Sequence, residues 1–155
     1  MTTPQEVATG IGIVGQCLVG YATLLFSAQA ISSLLSEKIQ SQEQLERVVE
    51  EEADILGLDK RSLIAKYYSS EDENYDHIFG ARCCITNFEF EGHMIPMKVV
   101  EIKEGWGARR TAVRHELYHL LKHFPVKKNL VARFIRGALY EEPTAILYEI
   151  TGIKV

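Results

Sequence analysis

Cysteine is scarce: Cys17, Cys83 and Cys84 are the three in 155 residues. An odd count with one adjacent pair offers no framework of bridges. That excludes a disulfide-stapled miniprotein and fits a reducing compartment better than secretion. Cys83 and Cys84 lack a second CxxC to complete a metal site, and neighbours on a strand point to opposite faces, so they read as plain strand residues. Internal repeats and low-complexity linkers are absent. With 46% hydrophobic and 25% charged residues, the composition excludes a disordered chain and a collagen-like repeat. Charge is missing altogether between Val7 and Ser36, and residues 1–36 hold only Glu6. Residues 37–104 then carry eight basic against sixteen acidic side chains, and residues 105–155 nine against four. The chain divides into an uncharged head, 1–36, and one domain's length of sequence, 37–155, acidic first and basic afterwards.

From Gly10 to Leu35, sixteen residues are apolar, four are glycine and six are polar but neutral. As a helix this run would reach about 39 Å, enough to cross a bilayer core of about 30 Å. One side carries Ile11, Val14, Leu18, Tyr21, Leu25 and Ala28, and another the small and polar stripe Gln16, Gly20, Thr23, Ser27 and Ala30, suited to close helix packing. Three readings stand side by side. The first is a membrane anchor. The second is a signal peptide cleaved after Ala28-Gln29-Ala30, although its amino-terminal region lacks Lys and Arg. The third is a buried or oligomer-forming helix, favoured by the glycines and glutamines. For an anchor, Lys38 and Arg47 at the carboxyl-terminal end keep the domain on the cytoplasmic side.

Ser41 with Gln44 three residues later forms a capping-box start. Leu45, Val48, Val49, Ile55 and Leu56 fall on one stripe, with Glu52 closer to it than its acidic neighbours, and Gly57 supplies a stop. The pattern predicts an amphipathic helix over 42–56. Ser62–Tyr68 reads as a strand or a short helix, and residues 69–74 as a polar loop. Strands follow from Ile78 to Glu104: Cys84–Phe90, a turn at Glu91-Gly92-His93, then Met94–Lys103, whose Pro96 marks an edge or bulge position. Gly105-Trp106-Gly107 ends the sheet. The predicted fold class is α+β: a small mixed or antiparallel sheet with helices before and after it.

The basic tail reads Arg114-His115-Glu116-Leu117-Tyr118-His119, an H-E-x-x-H on a stretch with helical periodicity. Residues i and i+4 point nearly the same way, so His115 and His119 can share one metal ion. Glu116, turned about 100° from His115, suits a base acting on a metal-bound water. Two imidazoles need one further protein ligand to make a catalytic site with an open position. About twenty residues on, Glu141-Glu142-Pro143-Thr144-Ala145 opens another apolar helix, with proline at home in its first turn. The bland alternative is two histidines on an ordinary amphipathic helix.

These residues resemble a minimal zincin metallopeptidase of the gluzincin type, close in pattern to repressor-cleaving and membrane-anchored zinc peptidases. The likeness covers about residues 94–150 and is loose over 42–93. It implies a zincin-like domain and a zinc ion (Zn2+) held by His115, His119 and Glu142, the last matching the family's E-x-x-A; Glu141 and Glu149 stay open as alternatives for the third ligand. It implies Glu116 as general base in hydrolysis of a peptide bond by a metal-activated water. His123, four residues past His119, fits a supporting role better than a ligand's. The oxyanion donor is open among His123, Tyr140, Tyr148 and Arg136. The strand carrying Met97, Val99, Val100 and Ile102 would hold an extended peptide substrate by β-augmentation, or is plain sheet edge.

The basic cluster Arg109, Arg110, Arg114, Lys122, Lys127, Lys128, Arg133 and Arg136 lacks RNA-binding aromatics and finger spacing, so no nucleic-acid partner is expected. Contact with the acidic middle of the chain, or with a membrane surface, accounts for it more economically. Two functions remain: a zinc peptidase attached through residues 10–35 to a membrane or helix partner, and a non-catalytic zincin-like binding or assembly module using the same helix. Glu116 separates them, since a base between the histidines serves hydrolysis and is useless to structural zinc.

Overall fold

A computed structural model describes residues 4–72, 80–122 and 136–153, with side chains from residue 12 onward except those of Val14 and Leu139. Helix α1 (Pro4–Leu35) leads into α2 (Gln42–Leu56), a 3-10 turn (Lys60–Ser62), strands β1 (Leu63–Tyr68), β2 (Ala81–Phe90) and β3 (His93–Lys103), and helix α3 (Arg110–Lys122). A π-turn (Gly137–Glu141) then runs into the last helix, α4 (Glu142–Thr151). The class is α+β, with a three-stranded mixed sheet in the order β1-β3-β2.

Local chemistry explains the boundaries. The Ser41 hydroxyl accepts from the Gln44 amide at 3.2 Å, and the Gln44 side chain accepts from the Gln40 amide at 2.9 Å, so the capping box starts α2 where expected. Gly57, at φ 71°, ends it by donating back to Ala53 and Asp54. Glu91 (φ 49°) and Gly92 (φ 78°) form the β2–β3 turn, the pair of positive φ angles that a tight two-residue hairpin requires. Ser62–Tyr68 resolves into β1, parallel to β3 with Leu63 opposite Lys98.

That pairing overturns one expectation. β3 is the central strand: Val99, Val100 and Ile102 pair with β1 on one side and β2 on the other and are at most 1% exposed. Met97 lies one residue short of the β1 ladder. These four residues therefore form no substrate-binding edge, because their backbone groups beyond Met97 are spent on two neighbours. Pro96 sits opposite Asn87 of β2 and ahead of the first β1 pair, the single-neighbour position where a missing N–H is tolerated.

The core lies between the sheet and the helices. Ala65, Cys83, Val100 and Ile102 face Leu45, Val48, Val49 and Leu56 of α2, Val113, Leu117 and Tyr118 of α3, and Ala145 and Tyr148 of α4. The apolar stripe of α2 passes through Glu52 and Ala53 instead of Ile55, which is half exposed. Glu52 is fully buried and accepts from Arg110 Nε at 2.6 Å and from Arg114 Nε and a terminal nitrogen at 2.9 Å each. Arg110 also reaches Glu51 at 2.6 Å. The acidic α2 and the basic start of α3 thus neutralise each other. Segments 37–39 and 108–110 join α1 to α3 through Ile39–Ala108 and Arg110–Glu37 backbone bonds of 2.8 and 2.9 Å.

Two arginines facing one buried carboxylate make Glu52 the costly position to lose. Burial raises its pKa and the guanidinium partners lower it further than that; this part of the stability is present above the usual carboxylate range and falls away as pH drops through it. Glu52→Leu is expected to cost about 3–5 kcal/mol in urea unfolding, and adding Arg114→Leu should recover part of it.

Candidate metal centre

α3 is held on α2 by Arg110 and Arg114, which turns the adjacent residues, His115 and His119, toward α4. Their Nε2 atoms lie 3.1 Å apart. The Glu142 carboxylate closes the triangle, Oε2 at 3.4 Å from His115 Nε2 and Oε1 at 3.5 Å from His119 Nε2. Ligands at about 2.0–2.1 Å around a tetrahedral ion sit about 3.3 Å from one another, so the three groups already stand at the edges of such a polyhedron. The histidines are only 14% and 20% exposed, Glu142 55%; the triangle is walled on the protein side and open to solvent beyond the carboxylate. His115, His119 and Glu142 could therefore hold a metal ion.

The fallback ligands sit elsewhere. Glu141 pairs with Arg136 at 2.9 Å. Glu149, two turns further along nearly the same face of α4 and 3% exposed, places Oε2 3.2 Å from His115 Nδ1, the ring nitrogen opposite the triangle. It backs the histidine instead of joining the ligand set. Pro143 occupies the first turn of α4, where its missing N–H costs nothing, and the π-turn before it delivers Glu142 to the histidines.

No family model matches the chain, and neither does a curated protein or a solved structure.

Glu116 is half-buried between α3 and β2, and its charge raises the proton affinity of both histidines. The Cys83 thiol lies beside it. Burial first, then this carboxylate, push that thiol's pKa far up, so Cys83 is a neutral donor. Sequence reasoning passed over it, although strand alternation does place Cys83 on the helix-facing side with Ala81 and leaves Cys84 on the other. Gln29 of α1 was also missed: its side-chain amide donates to Glu149 Oε2 at 2.8 Å. The one available signal was an amide in a long uncharged helix.

Of the proposed oxyanion donors, Tyr148 is removed by the structure. It is fully buried, stacked on Tyr118 at 4.9 Å between centroids, and belongs to the core. Arg136 is engaged with Glu141. Tyr140 is 51% exposed on the π-turn, two residues before Glu142. His123, with Lys127, Lys128 and Arg133, lies outside the described residues. A cavity of about 590 Å³ opens under the end of α1, lined by Ala28, Ser32, Thr111 and Arg114 among others; neither imidazole nor Glu142 lines it.

Without metal, burial disfavours a charged His115, but the neighbouring Glu142 and Glu149 carboxylates outweigh it and carry its pKa up to about 9. His119 is lowered by burial and by the neighbouring His115 charge, and Glu142 is lowered by His115. The raised His115 value stabilises the metal-free fold below the imidazole's usual 6.5 and is lost as pH rises through about 9. A metal ion requires the neutral ring. Zinc binding at slightly alkaline pH is therefore expected to release about one proton per ion, read by calorimetry in buffers of different ionisation enthalpy. Affinity should climb with pH until His115 has titrated.

Proposed function

We propose that this chain is a zinc-dependent peptidase of the zincin kind, attached to a membrane by α1. The observation that carries the reading is the spacing of His115, His119 and Glu142 with Glu116 on the same helix. Two imidazoles and one carboxylate are the donor set of hydrolytic zinc sites, and three protein ligands leave the fourth position for water or substrate. Bound zinc would supply an acidified water and a polarised carbonyl. Glu116 takes the proton of the attacking water and passes it to the leaving amine. Cys83, a neutral thiol beside Glu116 on the strand side, is placed to donate to that carboxylate. Glu149 holds His115 from behind.

The substrate strand moves from β3 to β2. β2 packs beside α3, and among the described residues it has no strand partner other than β3. Among the described residues, its outer edge is open to an extended peptide held by main-chain hydrogen bonds.

One helix, α1, is long and apolar enough to cross a membrane. Its middle stands largely clear of the domain: Val19 is 68% and Leu24 73% exposed, and half-buried positions cluster from Ala28 onward. Residues 4–27 span about 36 Å as a helix, against about 30 Å for a bilayer core. Lys38 and Arg109 beside its end fit a cytoplasmic face.

The rival, a non-catalytic binding or assembly module, draws on the apolar hairpin end, where Ile85, Phe90 and Met94 are more than half exposed. Elemental analysis of the purified chain should give one zinc per molecule, lost in His119→Ala and Glu142→Ala. Glu116→Gln should keep the metal and lower peptide hydrolysis by about 10²–10⁴-fold. Zinc retained without any hydrolysis by wild type across a peptide library would hand the site to the rival. In a separate test, the full chain should float with liposomes and stay bound in high salt; a chain that remains soluble refutes the anchor.

A further inference from the structure

We propose that Gln29 is a positioning residue of the metal centre, so that the apolar helix α1 is a working part of the site and not a detachable leader. The inference rests on the reading of His115, His119 and Glu142 as a metal site. Glu149 is a carboxylate 3% exposed on α4, and a buried carboxylate has to be met by donors. One donor and one ring nitrogen reach it from different elements, and both come to the same oxygen. Gln29 Nε2 donates to Oε2 at 2.8 Å, and His115 Nδ1 stands 3.2 Å from that atom.

The amide therefore sets where the shared oxygen lies, and the oxygen sets the plane of the His115 ring. The ring's other nitrogen, Nε2, faces Glu142 and His119. A carboxylate behind a metal-binding histidine fixes ring orientation and raises its basicity. Here that carboxylate is itself aimed by a residue 120 positions away in sequence.

The surrounding sequence serves this contact. Gln29 is flanked by Ala28 and Ala30, and all three are half-buried. Small neighbours let α1 approach α4 closely enough for the amide to span the gap. The A-x-A that reads as a cleavage signal is thus occupied in the fold by packing and by a hydrogen bond into the site. A cut after Ala30 would remove the donor. Gln16, another glutamine of the helix, is exposed.

The experiment measures zinc affinity of the full chain by competition with a chromogenic chelator, alongside melting of the metal-free forms. Gln29→Leu is expected to weaken zinc binding about tenfold, and Gln29→Asn, one methylene too short to reach Glu149, by a similar factor. Gln16→Leu, an equal change in hydropathy on the same helix, should leave the affinity unchanged. In a Glu149→Ala background, where no carboxylate is left to aim, Gln29→Leu should cost no further affinity. Normal zinc affinity in Gln29→Leu overturns the inference while the metal site stands. A loss that persists in full in the Glu149→Ala background, and that follows the melting temperature of the metal-free protein, assigns Gln29 to packing and also overturns it. Wild type that takes up no zinc removes the metal-site reading itself.

Discussion

The buried carboxylate of Glu52 is the interaction on which the geometry of this molecule depends. It lies in the apolar stripe of α2 and receives Arg110 and Arg114 from consecutive turns of α3. A helix pinned by two guanidinium groups one turn apart can neither slide nor roll. The residues one position on, His115 and the histidine a turn later, are thereby given a fixed bearing toward α4. Removing one member of such a group leaves charge buried without a partner, which is why ion pairs of this kind specify an arrangement more than they add stability.

Around that clamp the molecule separates wet from dry in a way that suits a metal centre. Val113, Leu117 and Tyr118 seat α3 in the core with Ala145 and Tyr148 of α4, so the face of α3 bearing the histidines sits at the rim of the packing. The rim is shielded behind the imidazoles and open past Glu142. Glu149 and Gln29 continue the polar path inward, from a ring nitrogen to an amide on α1. The helix with the least charge in the chain thus meets the site through a side chain that can give a hydrogen bond without bringing a charge of its own.

The elements were legible where local chemistry specifies them. Ser41, Gln44 and Gly57 delimit α2, the Glu91-Gly92 turn separates β2 from β3, and Pro143 and Gly152 bracket α4. Strand order was not legible, because β1 reaches β3 across an intervening strand and nothing in either segment names its partner. That is why β3 was read as an edge from Pro96, a signal that holds only for the stretch ahead of Lys98. Likewise, Tyr148 and Tyr140 look equivalent as donors in sequence, and packing buries one and exposes the other.

The sequence by itself determined the pair of imidazoles. Helical periodicity forces residues four apart onto one side, whatever the rest of the chain does, and it puts Glu116 beside them. Only the tertiary structure decided which carboxylate completes the triangle. Glu141, Glu142 and Glu149 are chemically identical side chains within nine residues, and their roles diverge with where packing places them: one to Arg136, one to both histidines, one to the back of His115. The reach of Gln29 was also settled there, since a contact spanning most of the chain exists only once two helices have been packed against each other.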